Sequence, residues 1–215
     1  MSIFKNIQKK QYLNTVFSDF LERFTTLQKD FDLSERISNW ILQILVYTKG
    51  TLEDLLFKKN IFPTIVNNID KITRENIKQA FKTLVIFYIG NLLYLQPRFF
   101  SKKEIAQMEN ELQEEENPDS RAIEEGLIQK FKPLSKKEIS QTEKCIAKMF
   151  EFSSEDEKFL KEIKKYSQKH KKPDIAFYHQ LFDRLLFELF GEKVTSDPAE
   201  ILVFAQLLSV LRLRV

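Results

Sequence analysis

From Thr73 to Pro97 the chain reads TRENIKQAFKTLVIFYIGNLLYLQP, and its two halves follow different rules. The first half is amphipathic, with Lys78 and Lys82 one turn apart on a polar stripe. After Thr83 that stripe disappears, and Leu84 to Ile89 is apolar without a break. A helix that is apolar on every side must be covered on every side. The second half of this helix therefore belongs inside the molecule, and the rest of the chain must supply several packing partners. At 215 residues it is long enough to bury a core of that size. With only 4 glycines and 6 prolines it lacks the turn residues that a β-rich fold needs.

Helix punctuation predicts where those partners lie. In residues 2–31, Leu13, Phe17, Phe20, Phe24, Leu27 and Phe31 alternate spacings of four and three, which makes one helical stripe. Ser34 caps a second helix, which Gly50 ends. Thr51 with Asp54 opens a short helix over 51–59, and Asn60 takes the turn that follows. Pro63 suits the first turn of another short helix. Thr73 caps the long helix and Pro97 stops it. Ser101 with Glu104, Ser135 with Glu138, and Ser154 with Glu157 all have the spacing of capping boxes. The last of these starts a lysine-rich helix that ends near His170. Asp174 caps the next helix, Gly191 ends it, and Asp197-Pro198 opens the final one. No segment keeps a period of two for more than a few residues. The expected fold is all-α, with about ten helices. Carboxylates crowd Glu109 to Glu125, around Asn117-Pro118-Asp119. We read residues 1–100 as an N-terminal helical segment, 101–134 as an acidic, partly mobile helical linker, and 135–215 as a C-terminal helical segment.

Shifted against itself by 42 residues, the chain sets Ser38 on Ala80, Leu42 on Leu84 and Ile44 on Ile86. Leu45, Val46 and Tyr47 then fall on Phe87, Tyr88 and Ile89. This pattern, over roughly residues 34–95, resembles the armadillo and HEAT repeat families, whose units of two or three helices stack into a superhelix. In the armadillo form, 51–59, 61–70 and 73–95 would be the first, second and third helices, with Pro63, Ala80 and Leu84 in matching places. Asn60 stands where glycine is usual, and Ile86 stands where the importin type carries its peptide-binding asparagine. The resemblance implies a right-handed solenoid-like segment that binds protein through a helical groove. The same patterning also suits an irregular helical bundle whose helices share core spacing.

Little in the chain suggests chemistry. The two histidines are His170 and His179; His179 and Asp183 share a helix face, but a zinc or di-iron site needs three or four converging ligands. Cys145 sits beside Ile146 and Met149 at apolar spacing and reads as buried filler. Glycines this scarce cannot build a glycine-rich phosphate loop. We expect no catalytic residue, no cofactor and no metal, and so no enzyme. The lone cysteine suits a reducing compartment. The start, MSIFKNIQKKQY, shows no apolar core of a signal sequence. The uncharged run from Thr83 to Gln96 falls short of the ~20 residues of a membrane span. A cytoplasmic location is expected.

The leading functional expectation is a non-catalytic protein–protein interaction module, a helical scaffold or adaptor for another protein. Candidate partner-binding residues are Asn39, Trp40, Gln43, Lys78, Lys82 and Asn91. Gly90 permits a close backbone approach, and a buried Asn91 must find a hydrogen-bond partner. One alternative is a nucleic-acid-associated accessory protein using a basic helix face of Lys161, Lys164, Lys165, Lys169 and Lys172. Glu155, Asp156, Glu157 and Glu162 dilute that face, so a solvated helix surface is the simpler reading. A third reading is a structural subunit of a larger assembly, docked through the phenylalanine-rich first helix.

Overall fold

The computed structural model describes residues 3–58, 61–93, 102–114, 118–122, 125, 133–170 and 174–213. Helix α1 (Ile3–Asp30) presents the expected stripe: Leu13, Val16, Phe20, Phe24 and Leu27 are buried, and Phe17 and Phe31 pack at its margin. Helix α2 (Glu35–Phe57) starts as expected, the Ser34 side chain accepting from the Ile37 N–H. It does not stop at Gly50. The helix runs straight through, and Thr51, expected as a cap, lies in its interior and donates its hydroxyl to the Tyr47 carbonyl at 2.9 Å. The physical reason is burial. A glycine inside a helix costs about 1 kcal/mol, whereas continuing it buries Leu52, Leu55 and Leu56, each at roughly 2 kcal/mol. Residues 34–49 and the expected first repeat helix, 51–59, are therefore not two helices: one helix runs through both as far as Phe57.

Helix α3 (Pro63–Asn68) and a 3₁₀ turn (Ile69–Lys71) lead into α4 (Arg74–Tyr88), which begins in a Thr73–Asn76 capping box. The chain continues as a π-helical turn, Ile89–Leu93. Every residue from Thr83 to Asn91 is buried, as the loss of the polar stripe predicts. Pro97, Ser101 and Asn60 lie outside the described residues. Beyond them come α5 (Lys102–Glu114), a helical stretch at 118–122, and α6 (Lys136–Met149), which opens in the expected Ser135–Glu138 box. Helix α7 (Ser154–Lys169) is capped by Ser153 with Asp156, one residue before the expected pair. That register turns Asp156 inward. Helix α8 (Ile175–Phe190) runs from its Asp174 cap to Gly191 in the left-handed conformation (φ 70°), and α9 (Pro198–Leu213) follows. Among the described residues all regular structure is helical and there is no strand, so the fold is all-α.

Helix α4 is the hub: α1, α2, α7 and α8 all pack on it, while α6 lies on α1 and α2, and α9 on α8. One contiguous core takes residues from Leu13 to Leu208. The described parts of the N-terminal and C-terminal segments thus share their interior. Phenylalanines cluster within it. Phe20, Phe81 and Phe150 meet at ring separations of 4.2–6.2 Å, and Phe182 lies 5.6 Å from Phe62 and 5.0 Å from Phe204.

A long-range cap ties the last helix to the third. Phe62, at the N-cap of α3, has no side chain to accept from the helix's free N–H groups. Glu200 of α9 does this instead: the Thr64 N–H and hydroxyl donate to its two oxygens at 2.6 Å each, and the Asp197 N–H adds a third bond at 3.2 Å. Glu200 is only 3% exposed and its donors are half-buried, so Glu200→Ala leaves them without their acceptor and will lower stability by about 1–2 kcal/mol in urea unfolding. A loss below about 0.5 kcal/mol would mean that water satisfies those donors.

Candidate functional site

The inner face of α2 places Ile37, Ile41, Ile44, Leu45 and Thr48 in the core. Its other face is left to line a groove of about 1000 Å³ with Arg36, Asn39, Trp40, Gln43, Val46 and Tyr47, and Ala122 and Glu125 line it as well. Those α2 positions recur at helical spacing, which is why one helix can furnish a continuous wall. Asn39 is exposed, Trp40 and Gln43 are half-buried, and Val46 is 57% exposed. Arg36 braces one end: its Nη2 donates to the Pro133 carbonyl at 2.5 Å, and its Nη1 lies 3.6 Å from Glu138 on α6. The groove therefore combines two aromatic rings, two amides and a held guanidinium.

Three of the six partner residues expected from sequence converge here: Asn39, Trp40 and Gln43. The other three do not. Lys82 is drawn inward, with its Nζ 2.7 Å from Asp156 and its side chain only 18% exposed. Asp156 also accepts from the Ser153 N–H and hydroxyl, both at 2.9 Å, and lies 3.6 Å from Arg184 of α8. The Arg184 guanidinium rests 4.2 Å from the Phe159 ring centre, with Glu188 3.9 Å away. Burial pushes the Asp156 carboxyl upward, but the bonds from Lys82 and Ser153 outweigh it and hold the group below the usual carboxylate range. Burial raises Glu188, against the pull of Arg184. This cluster is a clamp joining α4, α7 and α8, and Lys82 is spent in it.

Asn91 is 3% exposed and satisfied within the fold. Its Nδ2 donates to the Phe87 carbonyl at 2.9 Å, and its Oδ1 accepts from the Ser167 hydroxyl of α7 at 3.1 Å. Lys78 is half-buried beside a separate small cleft of about 80 Å³, which Phe20, Arg23 and Glu151 also line. On α7, Lys164 pairs with Glu143 of α6 at 2.5 Å, while Lys161, Lys165 and Lys169 are exposed. Lys172 lies outside the described residues. His179 and Asp183 sit 3.5 Å apart on an exposed face. Cys145 is fully buried, and burial pushes its thiol up to about 11. No group of three or more potential metal ligands occurs among the described residues, and none of their helices is long and apolar enough to cross a membrane.

Sequence reasoning missed Arg36, Val46 and Tyr47 as groove residues. The signal was present, since they continue the spacing of Asn39, Trp40 and Gln43, but nothing in one helix says which of its faces goes uncovered. No protein-family model, curated protein or solved structure matches the chain. Its class is given by its architecture alone, a helical protein built around α4.

Proposed function

We propose that this protein is a non-catalytic interaction module, a helical scaffold or adaptor that holds a helical segment of another protein in the α2 groove. The observation that carries this reading is the convergence of Trp40, Tyr47, Asn39 and Gln43 on one wall of a cleft of about 1000 Å³. Half-buried aromatics at the centre of a groove are the usual anchors of protein recognition. A wall with anchors at helical spacing suits a partner helix with its apolar face turned inward. The amides of Asn39 and Gln43 add polar contacts at the rim. The resemblance of residues 34–95 to armadillo and HEAT repeats points the same way, as those families bind protein through helical grooves. The buried lone thiol of Cys145 suits a cytoplasmic setting.

Trp40 is the sole tryptophan, so its fluorescence reports directly on the groove. The test is capture of partners from the native host, followed by titration of the protein recovered. Trp40→Ala will weaken binding about tenfold or more, and the pair Lys161→Glu and Lys165→Glu will leave it unchanged. A partner indifferent to Trp40→Ala but lost with the lysine pair overturns the reading. If that binding also fell steeply with salt, the exposed lysines of α7 would be a nucleic-acid face instead.

A further inference from the structure

The start of α1 carries an apolar face with no cover. Ile3, Phe4 and Ile7 are 75%, 81% and 49% exposed, and at 3.6 residues per turn they fall within about 100° of the helix circumference. Lys5 and Lys9 occupy the opposite side. Lys5 pairs with Asp70 at 2.8 Å, and the buried Lys9 ammonium donates to the Ile72 carbonyl. These two anchors fix the rotation of α1 and turn the apolar trio outward. Ile3 and Ile7 then line, with Phe57 at the end of α2, an open cleft of about 500 Å³. Among the described residues, the other large exposed apolar side chains are Val46, in the α2 groove, and Ile175, Phe187 and Leu202, on α8 and α9.

The charges at the rim select the occupant. Asp54 and Lys58 neutralise each other at 2.8 Å. Lys10 and Glu53 remain, one of each sign, with no ion-pair partner among the described residues. A rim with one cation and one anion beside an apolar floor is self-complementary about a two-fold axis. Two such pairs form when Lys10 of each copy meets Glu53 of the other. A strongly acidic or strongly basic partner, or an anionic lipid surface, would set one of these two charges against its like.

We propose that this cleft is the docking site for a second copy of the chain, with Phe4 of each copy seated against Ile3, Ile7 and Phe57 of the other. Three apolar side chains and a short charged rim make a small patch, at the low end of specific interfaces. The dimer is therefore reversible, dissociating in the micromolar range. It is independent of the α2 groove, so Trp40→Ala leaves it intact.

Sedimentation equilibrium of the full chain, from low micromolar to submillimolar concentration, tests this. The wild type will shift from monomer to dimer across that range. Phe4→Glu will weaken association by about tenfold or more, and because Phe4 is exposed its thermal melt by circular dichroism will match the wild type. Lys10→Glu and Glu53→Lys will each weaken the dimer, and the two together in one chain will restore it. A wild type that stays monomeric at submillimolar concentration overturns the proposal, as does association indifferent to Phe4→Glu. Monomeric protein that binds anionic phospholipid vesicles through Phe4 overturns it in favour of a lipid surface.

Discussion

Replacing Asp156 with alanine will cost the fold about 3–5 kcal/mol, a large share of the roughly 5–15 kcal/mol that holds a domain of this kind together. Three losses coincide. Lys82 loses a carboxylate at 2.7 Å and is left with a side chain only 18% exposed to water. Arg184 loses the carboxylate at 3.6 Å and keeps Glu188 at 3.9 Å. The N-terminus of α7 loses the acceptor of its capping box, worth about 1 kcal/mol by itself. Urea unfolding measures this directly: the midpoint should fall with the slope unchanged. A loss under about 1 kcal/mol would show that both cations reach water without cost.

The same group leaves a signature in pH. The folded state holds the Asp156 carboxyl below its unfolded value of about 3.9. Its contribution is therefore complete above that unfolded value and drains away as pH falls through the lower folded one. Glu188 acts in the opposite sense. Desolvation holds its carboxyl above the usual range, so protonation favours the fold and offsets part of the acid loss. The comparison of wild type with Asp156→Asn reads Asp156 together with its effect on Glu188, whose carboxyl the Asp156 charge helps to raise. The wild type should lose stability more steeply below about pH 4; parallel curves would refute the assignment.

Gly90→Ala will destabilise the protein by about 3 kcal/mol. A Cβ at that position would lie 2.3 Å from the Ile163 Cγ2 and 2.8 Å from its Cβ. Neither atom can swing away, since both belong to the branched root of a side chain that is fully buried. The π turn would have to separate from α7, and that would stretch the Asn91–Ser167 hydrogen bond one helical turn further along the same contact. Ile163→Ala alone will cost about 2–5 kcal/mol through the cavity it leaves. Combined with Gly90→Ala it will cost less than the sum of the two, because the new methyl fills part of the space vacated. Additive losses in this double-mutant cycle would place the glycine's role elsewhere.

How much of this was legible beforehand follows from how local each signal is. The all-α class, the caps at Ser34, Thr73, Ser135 and Asp174, the stop at Gly191 and the buried second half of α4 each depend on a few adjacent residues. In each case the sequence and the structure agree. Gly90 and Asn91 stood out for the same reason, as a small and a polar residue inside an apolar run. Gly50 misled because its local preference is weak, and the leucines beyond it outweigh it once α4 is present to receive them.

The chain by itself determined which segments are helices and which faces are apolar, since propensity, capping and periodicity act over one or two turns. Only the tertiary structure decided which faces meet. It sent Lys82 inward to Asp156, let Glu200 cap a helix 136 residues away, left the Trp40 face of α2 open as a groove and turned Ile3, Phe4 and Ile7 outward. A lysine on an amphipathic helix carries no mark of whether water or a distant carboxylate will face it, because that choice is made by packing across the whole chain.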